Sequence, residues 1–337
     1  MRHLSVYTGI VLSFLAFNSW ASSPKVVADI APLHSLVTQV MAGVGKPELL
    51  VQPEASPHRY SLRPSDAQSL SEADLVFWIS EDLTPWLEGS LESLSPDARK
   101  VALMEQPETL RHRFREGATF EAHHHDDNEP HNDEGHHDEQ EHHDEQAHHE
   151  AGDHEGKSED HHDHHHGVYD PHAWLDPVNA KVWADIIARE LSGVDPDHRE
   201  QYLANAAKLK ASLDQLIEEL TTRAEKLGTI NFIVFHDAYQ YFERRFNLVA
   251  AGAISLSDAT DPGPARVREI QNRVAALNVS CAFTEPQYNP RMLDTIFGDT
   301  EVKTLGVMDP LGVDINDASG HYTKLLRRLM TSLEQCR

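Results

Sequence analysis

Basic side chains are scarce in this chain: 29 Lys+Arg stand against 55 Asp+Glu, a formal net charge of −26 over 337 residues. A chain this acidic repels phosphate, which excludes nucleic acid as a partner. Long apolar runs are missing too. Tyr7 to Phe17 is apolar, but at about half the length that spans a bilayer. No later segment is apolar enough to cross a membrane, so membrane insertion is not expected. Cysteine is nearly absent, with Cys281 and Cys336 alone. No His-Glu-x-x-His motif is present, and no other substrate-pocket signature replaces it.

The N-terminus fixes the compartment. Arg2 and His3 precede the apolar run, and Ser19-Trp20-Ala21 supplies the small residues of a cleavage site. Residues 1–21 therefore read as a secretory signal peptide, with the mature chain starting near Ser22. No Cys follows the run, so no lipid anchor is expected there. In an exported chain two cysteines form one disulfide or remain two thiols. A bridge would close a long loop and add ~3–4 kcal/mol in a chain-entropy model.

The mature length suits two domains. Short apolar strands alternate with helices: Lys25–Ile30, Leu49–Val51, Ala73–Ser80 and Val101–Met104 first, then Asn231–Phe235, Leu248–Ile254, Val279–Thr284 and Val302–Val307. Helices are expected between them, including Pro290–Phe297. This alternation predicts an α/β fold of two similar lobes with parallel sheets flanked by helices. Between the two sets, Tyr202, Ala206, Leu209, Leu213, Leu216, Leu220, Ala224 and Leu227 form one apolar helical stripe. Residues 195–227 are thus expected to be one long rigid helix joining an N-terminal lobe, 22–194, to a C-terminal lobe, 228–337.

Residues 121–166 interrupt the first half. They hold 16 His and 17 acidic residues against one Lys. With so little aliphatic surface they cannot offset chain entropy, and a disordered loop is expected without metal. Acidity alone would suit a solvated spacer. The clustering of His123, His124, His125, His136, His137, His142, His143, His148, His149, His161, His162, His164, His165 and His166 does not. Neutral imidazoles bind metal near neutral pH, so this loop reads as an accessory metal antenna, weakening below about pH 6.

Outside it, three histidines sit at predicted strand-to-helix corners. His58 lies in Ser-Pro-His-Arg-Tyr, His172 in Asp-Pro-His-Ala-Trp and His236 at the end of Phe-Ile-Val-Phe-His-Asp. Asp309, in Met-Asp-Pro-Leu-Gly, follows the last strand. Parallel sheets place such corners at one end, where ligands bind. Three imidazoles and a carboxylate suit tetrahedral zinc, with Asp309 the weakest member of the set. Asp237 is read as a structural residue or as support for His236.

These segments resemble the zinc-uptake solute-binding proteins of ABC transporters, the ZnuA type within the metal-binding family. The resemblance is carried by Pro57-His58-Arg59-Tyr60, by Asp170-Pro171-His172-Ala173-Trp174-Leu175-Asp176-Pro177 and by Phe235-His236-Asp237-Ala238-Tyr239-Gln240-Tyr241-Phe242. It covers essentially the whole mature chain. It implies metal held between the lobes by His58, His172 and His236, with Asp309 at the family's carboxylate position. Zinc-type members can fill that fourth position with water or another acid. Manganese-binding relatives carry a carboxylate where this chain has His236. The resemblance also implies a Cys281–Cys336 disulfide, a periplasmic location and delivery of Zn2+ to an inner-membrane permease. A monomer, zinc as cargo rather than catalytic cofactor, and no enzymatic activity are expected. The alternatives are a periplasmic zinc buffer or chaperone, a zinc-dependent hydrolase, or a manganese carrier.

Overall fold

Two four-stranded parallel sheets of identical strand order form the frame of the computed structural model, which describes residues 23–115, 167–255, 263–279, 281–288, 296–298 and 302–336. The expected signal segment, the His-rich run 121–166 and most of the expected helix Pro290–Phe297 lie outside the described residues.

The first sheet runs β2-β1-β3-β4, from β1 (Val26–Ala28), β2 (Glu48–Leu49), β3 (Leu75–Trp78) and β4 (Arg99–Ala102). The second runs β6-β5-β7-β8, from β5 (Phe232–His236), β6 (Gly252–Ser255), β7 (Cys281–Thr284) and β8 (Lys303–Val307). In each, the first strand in sequence is central, and β1, β3 and β5 are buried along their whole length. Such strands read as unbroken apolar runs because both faces are covered by helices. β4 starts earlier than its apolar residues suggest. Exposed Arg99 and Lys100 pair with Leu75 and Val76, since an edge strand tolerates polar residues.

Eight α-helices are described: α1 (Ala31–Val40), α2 (Pro64–Ser71), α3 (Leu87–Leu94), α4 (Pro177–Val194), α5 (Arg199–Leu227), α6 (Gln240–Phe246), α7 (Pro264–Leu277) and α8 (His321–Glu334). Pro at the first turn of α2, α4 and α7 costs nothing, since those N–H groups have no helical partner. Asp176 caps α4 by accepting from Val178 N at 2.8 Å.

A 3-10 turn at Pro196–His198 leads into α5, whose 29 residues span roughly 44 Å at 1.5 Å per residue. Every residue of the predicted stripe, Tyr202 to Leu227, is at most 6% exposed. α5 ends at Gly228, whose φ of +69° suits glycine. The buried face of α5 belongs to one apolar cluster that includes Val26 and Phe77 of the first sheet and Phe232 and Phe283 of the second. This helix therefore joins the lobes through a shared core. α8 packs back against α1 and α5, adding a second strut. Cys281, at the start of β7, is bonded to Cys336 beyond α8, with Cα atoms 5.7 Å apart.

Candidate metal site

The carboxyl ends of the strands of both sheets face one cleft. His58 sits in a 3-10 turn, Pro57–Arg59, after β2. Trp86 Nε1 donates to Pro57 O at 2.7 Å and fixes that turn. Its far side is tied down by Asp66, which accepts from Tyr60 Oη at 2.7 Å and Arg63 N at 2.9 Å. His172 precedes a 3-10 turn, Ala173–Leu175, and His236 is the last residue of β5. The ring centroids lie 5.7 Å apart for His58–His172 and 5.3 Å for His172–His236. His172 and His236 are each 5% exposed.

Both buried imidazoles are held in the same way. His172 N donates to Asp170 Oδ1 at 3.0 Å, and its ring Nδ1 lies 2.7 Å from the same oxygen. His236 N donates to Glu285 Oε1 at 3.3 Å, and its ring Nδ1 lies 2.7 Å from the same oxygen. The two Nε2 atoms then face each other at 3.4 Å. Burial raises the Asp170 pKa to about 7, against the lowering effect of the His172 N–H. Burial also raises Glu285, opposed by His236. Glu285 Oε2 and Gln287 Oε1 are buried without a hydrogen-bond partner. Both residues line the cavity with His58, His172, His236 and Tyr288, and it offers about 20 Å³. That is room for one occupant the size of a water molecule or an ion. Unpaired buried oxygens are costly, so a polar or cationic occupant suits this space.

Asp309 stands behind the cavity wall. Its carboxylate accepts from Leu311 N at 2.9 Å and Val313 N at 2.6 Å, which shapes the loop after β8, and Gln287 Nε2 from the cavity wall reaches its Oδ1 at 3.4 Å. Its neighbours Pro310 and Leu311 line the cavity instead. Trp174 Nε1 holds Pro310 O at 2.9 Å and Tyr239 Oη holds Met308 O at 2.7 Å, which pins this loop from both lobes. Asp237 is engaged elsewhere, in an ion pair with Arg115, which also binds Glu243 at 2.8 Å. Burial alone would lower the Arg115 pKa, but Glu243 and Asp237 outweigh it and keep the guanidinium charged.

Arg115 is the last described residue before the His-rich run. The chain on either side of that run is paired: Phe114 N donates to Val168 O and Asp170 N to His112 O. The described chain resumes at Gly167, five residues before His172. The accessory histidines themselves lie outside the described residues. The remaining histidines have local partners. His34 Nε2 meets Pro47 O at 3.0 Å, His198 Nδ1 meets Asp195 at 2.7 Å, and His321 sits between Leu311 O and Ile315 O. His112 packs on Tyr241.

A family model described as "Zinc-uptake complex component A periplasmic" matches residues 26–336. The chain belongs to this family. Relatives named "High-affinity zinc uptake system protein ZnuA" share its full length: the protein of Brucella abortus is 42% identical over 336 residues, covering 100% of this chain and 98% of the relative. That of Paracoccus denitrificans is 40% identical over the same lengths. Among solved structures, one titled "Crystal structure of ZnuA" aligns over 93% of this chain and 99% of that chain, with a TM-score of 0.70 and 22% identity. The periplasmic zinc binding protein TroA of Treponema pallidum aligns over 93% and 99%, with a TM-score of 0.71 at 16% identity. At such identities these structures speak for the shared fold of two lobes about a long helix.

Asp170, Glu285 and Arg115 are missed by reasoning from single residues. Asp170 lies inside the Asp-Pro-His segment, two positions from a candidate ligand. Glu285 directly follows a predicted strand, so the rule that selected His236 and Asp309 also points to it. Arg115 carries no sequence signal, because its acidic partners are more than 120 positions away.

Proposed function

We propose that this chain is exported to the periplasm by its N-terminal signal segment. There it captures Zn2+ with His58, His172 and His236 and passes the ion to the permease of an ABC transporter. The observation that carries the reading is the 3.4 Å approach of the His172 and His236 Nε2 atoms. Two nitrogens at about 2.0–2.1 Å from a tetrahedral ion lie about 3.3–3.4 Å apart. With each Nδ1 proton committed to a carboxylate, both Nε2 lone pairs point at one place. His58 stands on its rim. As the side chains stand, no three His, Cys, Asp or Glu groups among the described residues are drawn in around one point. On this reading an arriving ion pulls the half-buried His58 ring inward.

The all-nitrogen donor set favours zinc over manganese, which prefers oxygen. With both Asp309 oxygens on backbone N–H groups, the fourth position falls to water. The His-rich run enters as an accessory store, and the family's role in uptake favours delivery over simple buffering.

The test is a competitive zinc titration, with manganese as control, on the full chain and on a chain lacking residues 121–166. One tight zinc site in both, lost in His58→Ala, is expected. Loss of tight binding on removal of residues 121–166 would move the primary site to that segment and overturn the assignment.

A further inference from the structure

We propose that Glu285, with Asp170 as its counterpart, is a positioning residue that sets the proton and the aim of a cleft imidazole and thereby the affinity for zinc. This rests on the zinc reading above. The two histidines come from different elements, and their carboxylates differ in origin. Asp170 lies two residues before His172, whereas Glu285 stands 49 residues after His236, at the end of the neighbouring strand. Yet both carboxylates make the same clamp: one oxygen accepts from the ring Nδ1 and from the backbone N–H of the same histidine. A ring gripped with its own backbone can neither flip nor swing.

The clamp has two chemical consequences. The proton is placed on Nδ1, so that Nε2 presents its lone pair to the cleft. The negative partner also makes that lone pair a stronger donor. Glu285 is the more informative of the two. Asp170 also shapes the turn before His172, and its backbone carbonyl accepts from Tyr241 Oη at 2.9 Å. Glu285 is 2% exposed, and its second oxygen, Oε2, makes no hydrogen bond. A purely structural carboxylate would spend both oxygens, as Asp29 does on Ile30 N and Ile79 N at 2.7 and 2.8 Å. In Glu285 that second oxygen has only the neighbouring Tyr239 hydroxyl to draw on, and a cation held by His236 would favour the charged carboxylate.

The experiment uses the full chain, metal-free and labelled with 15N-histidine, with the His236 signal identified by its loss in His236→Gln. In the parent, His236 is expected as the Nδ1–H tautomer. Glu285→Gln keeps the shape but removes the charge, and its amide can donate to Nδ1. A shift of His236 toward the Nε2–H form is expected, with zinc affinity reduced about ten- to a hundredfold in chelator competition and an unchanged far-UV spectrum. An unchanged tautomer with zinc affinity within about twofold of the parent would overturn the proposal. Should Glu285→Gln fail to fold, Asp170→Asn puts the same question to His172 by the same two readouts. The tautomer is read without metal, so it decides the role of Glu285 even if His58→Ala were to retain tight zinc and the zinc site itself proved misplaced.

Discussion

β1 and β5 hold the same central place in two sheets of the same order, but they end on opposite chemistry. β1 is followed by Asp29, fully buried, whose two oxygens accept backbone N–H groups from Ile30 and from Ile79 beyond β3. β5 ends on His236, which donates twice to Glu285 beyond β7 and keeps Nε2 for the cleft. One end is closed on itself, with every polar atom used inside the lobe. The other is left with a donor atom facing outward. Topology supplies the place, and the residue at the strand end decides whether it is structural or functional.

The largest effect should come from exchanging these roles. His236→Ala is expected to abolish the tight zinc site while the fold survives, as read by competitive titration and circular dichroism. Asp29→Ala is expected to do the reverse. It leaves zinc affinity at the parent level but strands two buried N–H groups, at about 1–3 kcal/mol each in chemical denaturation. Zinc binding lost in Asp29→Ala with the fold intact would break the comparison.

A smaller effect tests what binds the two ends together. Arg115 reaches from the paired segment beside His172 to Asp237 and Glu243 of the second lobe, and its side chain is 13% exposed. Arg115→Ala leaves two buried carboxylates uncompensated, with an expected loss of about 3–5 kcal/mol. Arg115→Lys should recover part of that, since one ammonium cannot reproduce the forked contacts. Equal stability of Arg115→Ala and the parent in urea would show that the pair contributes nothing.

The smallest effect depends on pH. Burial raises the Asp29 pKa from 3.8 to about 7. Between those values the folded chain holds a proton that the unfolded chain has released, so this group's contribution to stability falls as pH rises from about 4 to 7. Asp29→Asn does not titrate. Its deficit relative to the metal-free parent should therefore be larger at pH 5 than at pH 7.5. A deficit that grows with pH would contradict the raised pKa.

Much of this was legible in the sequence. The stripe from Tyr202 to Leu227 predicted α5 residue by residue, because a helix with one buried face must repeat its apolar positions at helical spacing. β5 was legible because a strand covered on both faces is apolar up to its last residue, here Phe232 to Phe235 before His236. β4 was misplaced by two residues, since an edge strand does not need apolar side chains to keep its ladder. His58, His172 and His236 were selected at strand-to-helix corners, and the structure brings His172 and His236 together with the His58 ring 5.7 Å from that of His172. Asp309 was selected by the same rule, and the structure places its carboxylate on two backbone N–H groups of its own loop.

The sequence by itself determined the alternation of strands and helices, the long helix and the family. Those depend on local periodicity and on short segments, which are written along the chain. Only the tertiary structure decided that Glu285 clamps His236, that Asp170 repeats the clamp at His172, that Asp309 closes its own loop, and that Arg115 ties Asp237 to Glu243. Each of these is a choice of partner among many carboxylates in an acidic chain. Distance and burial make that choice, and neither exists until both sheets have packed on one helix.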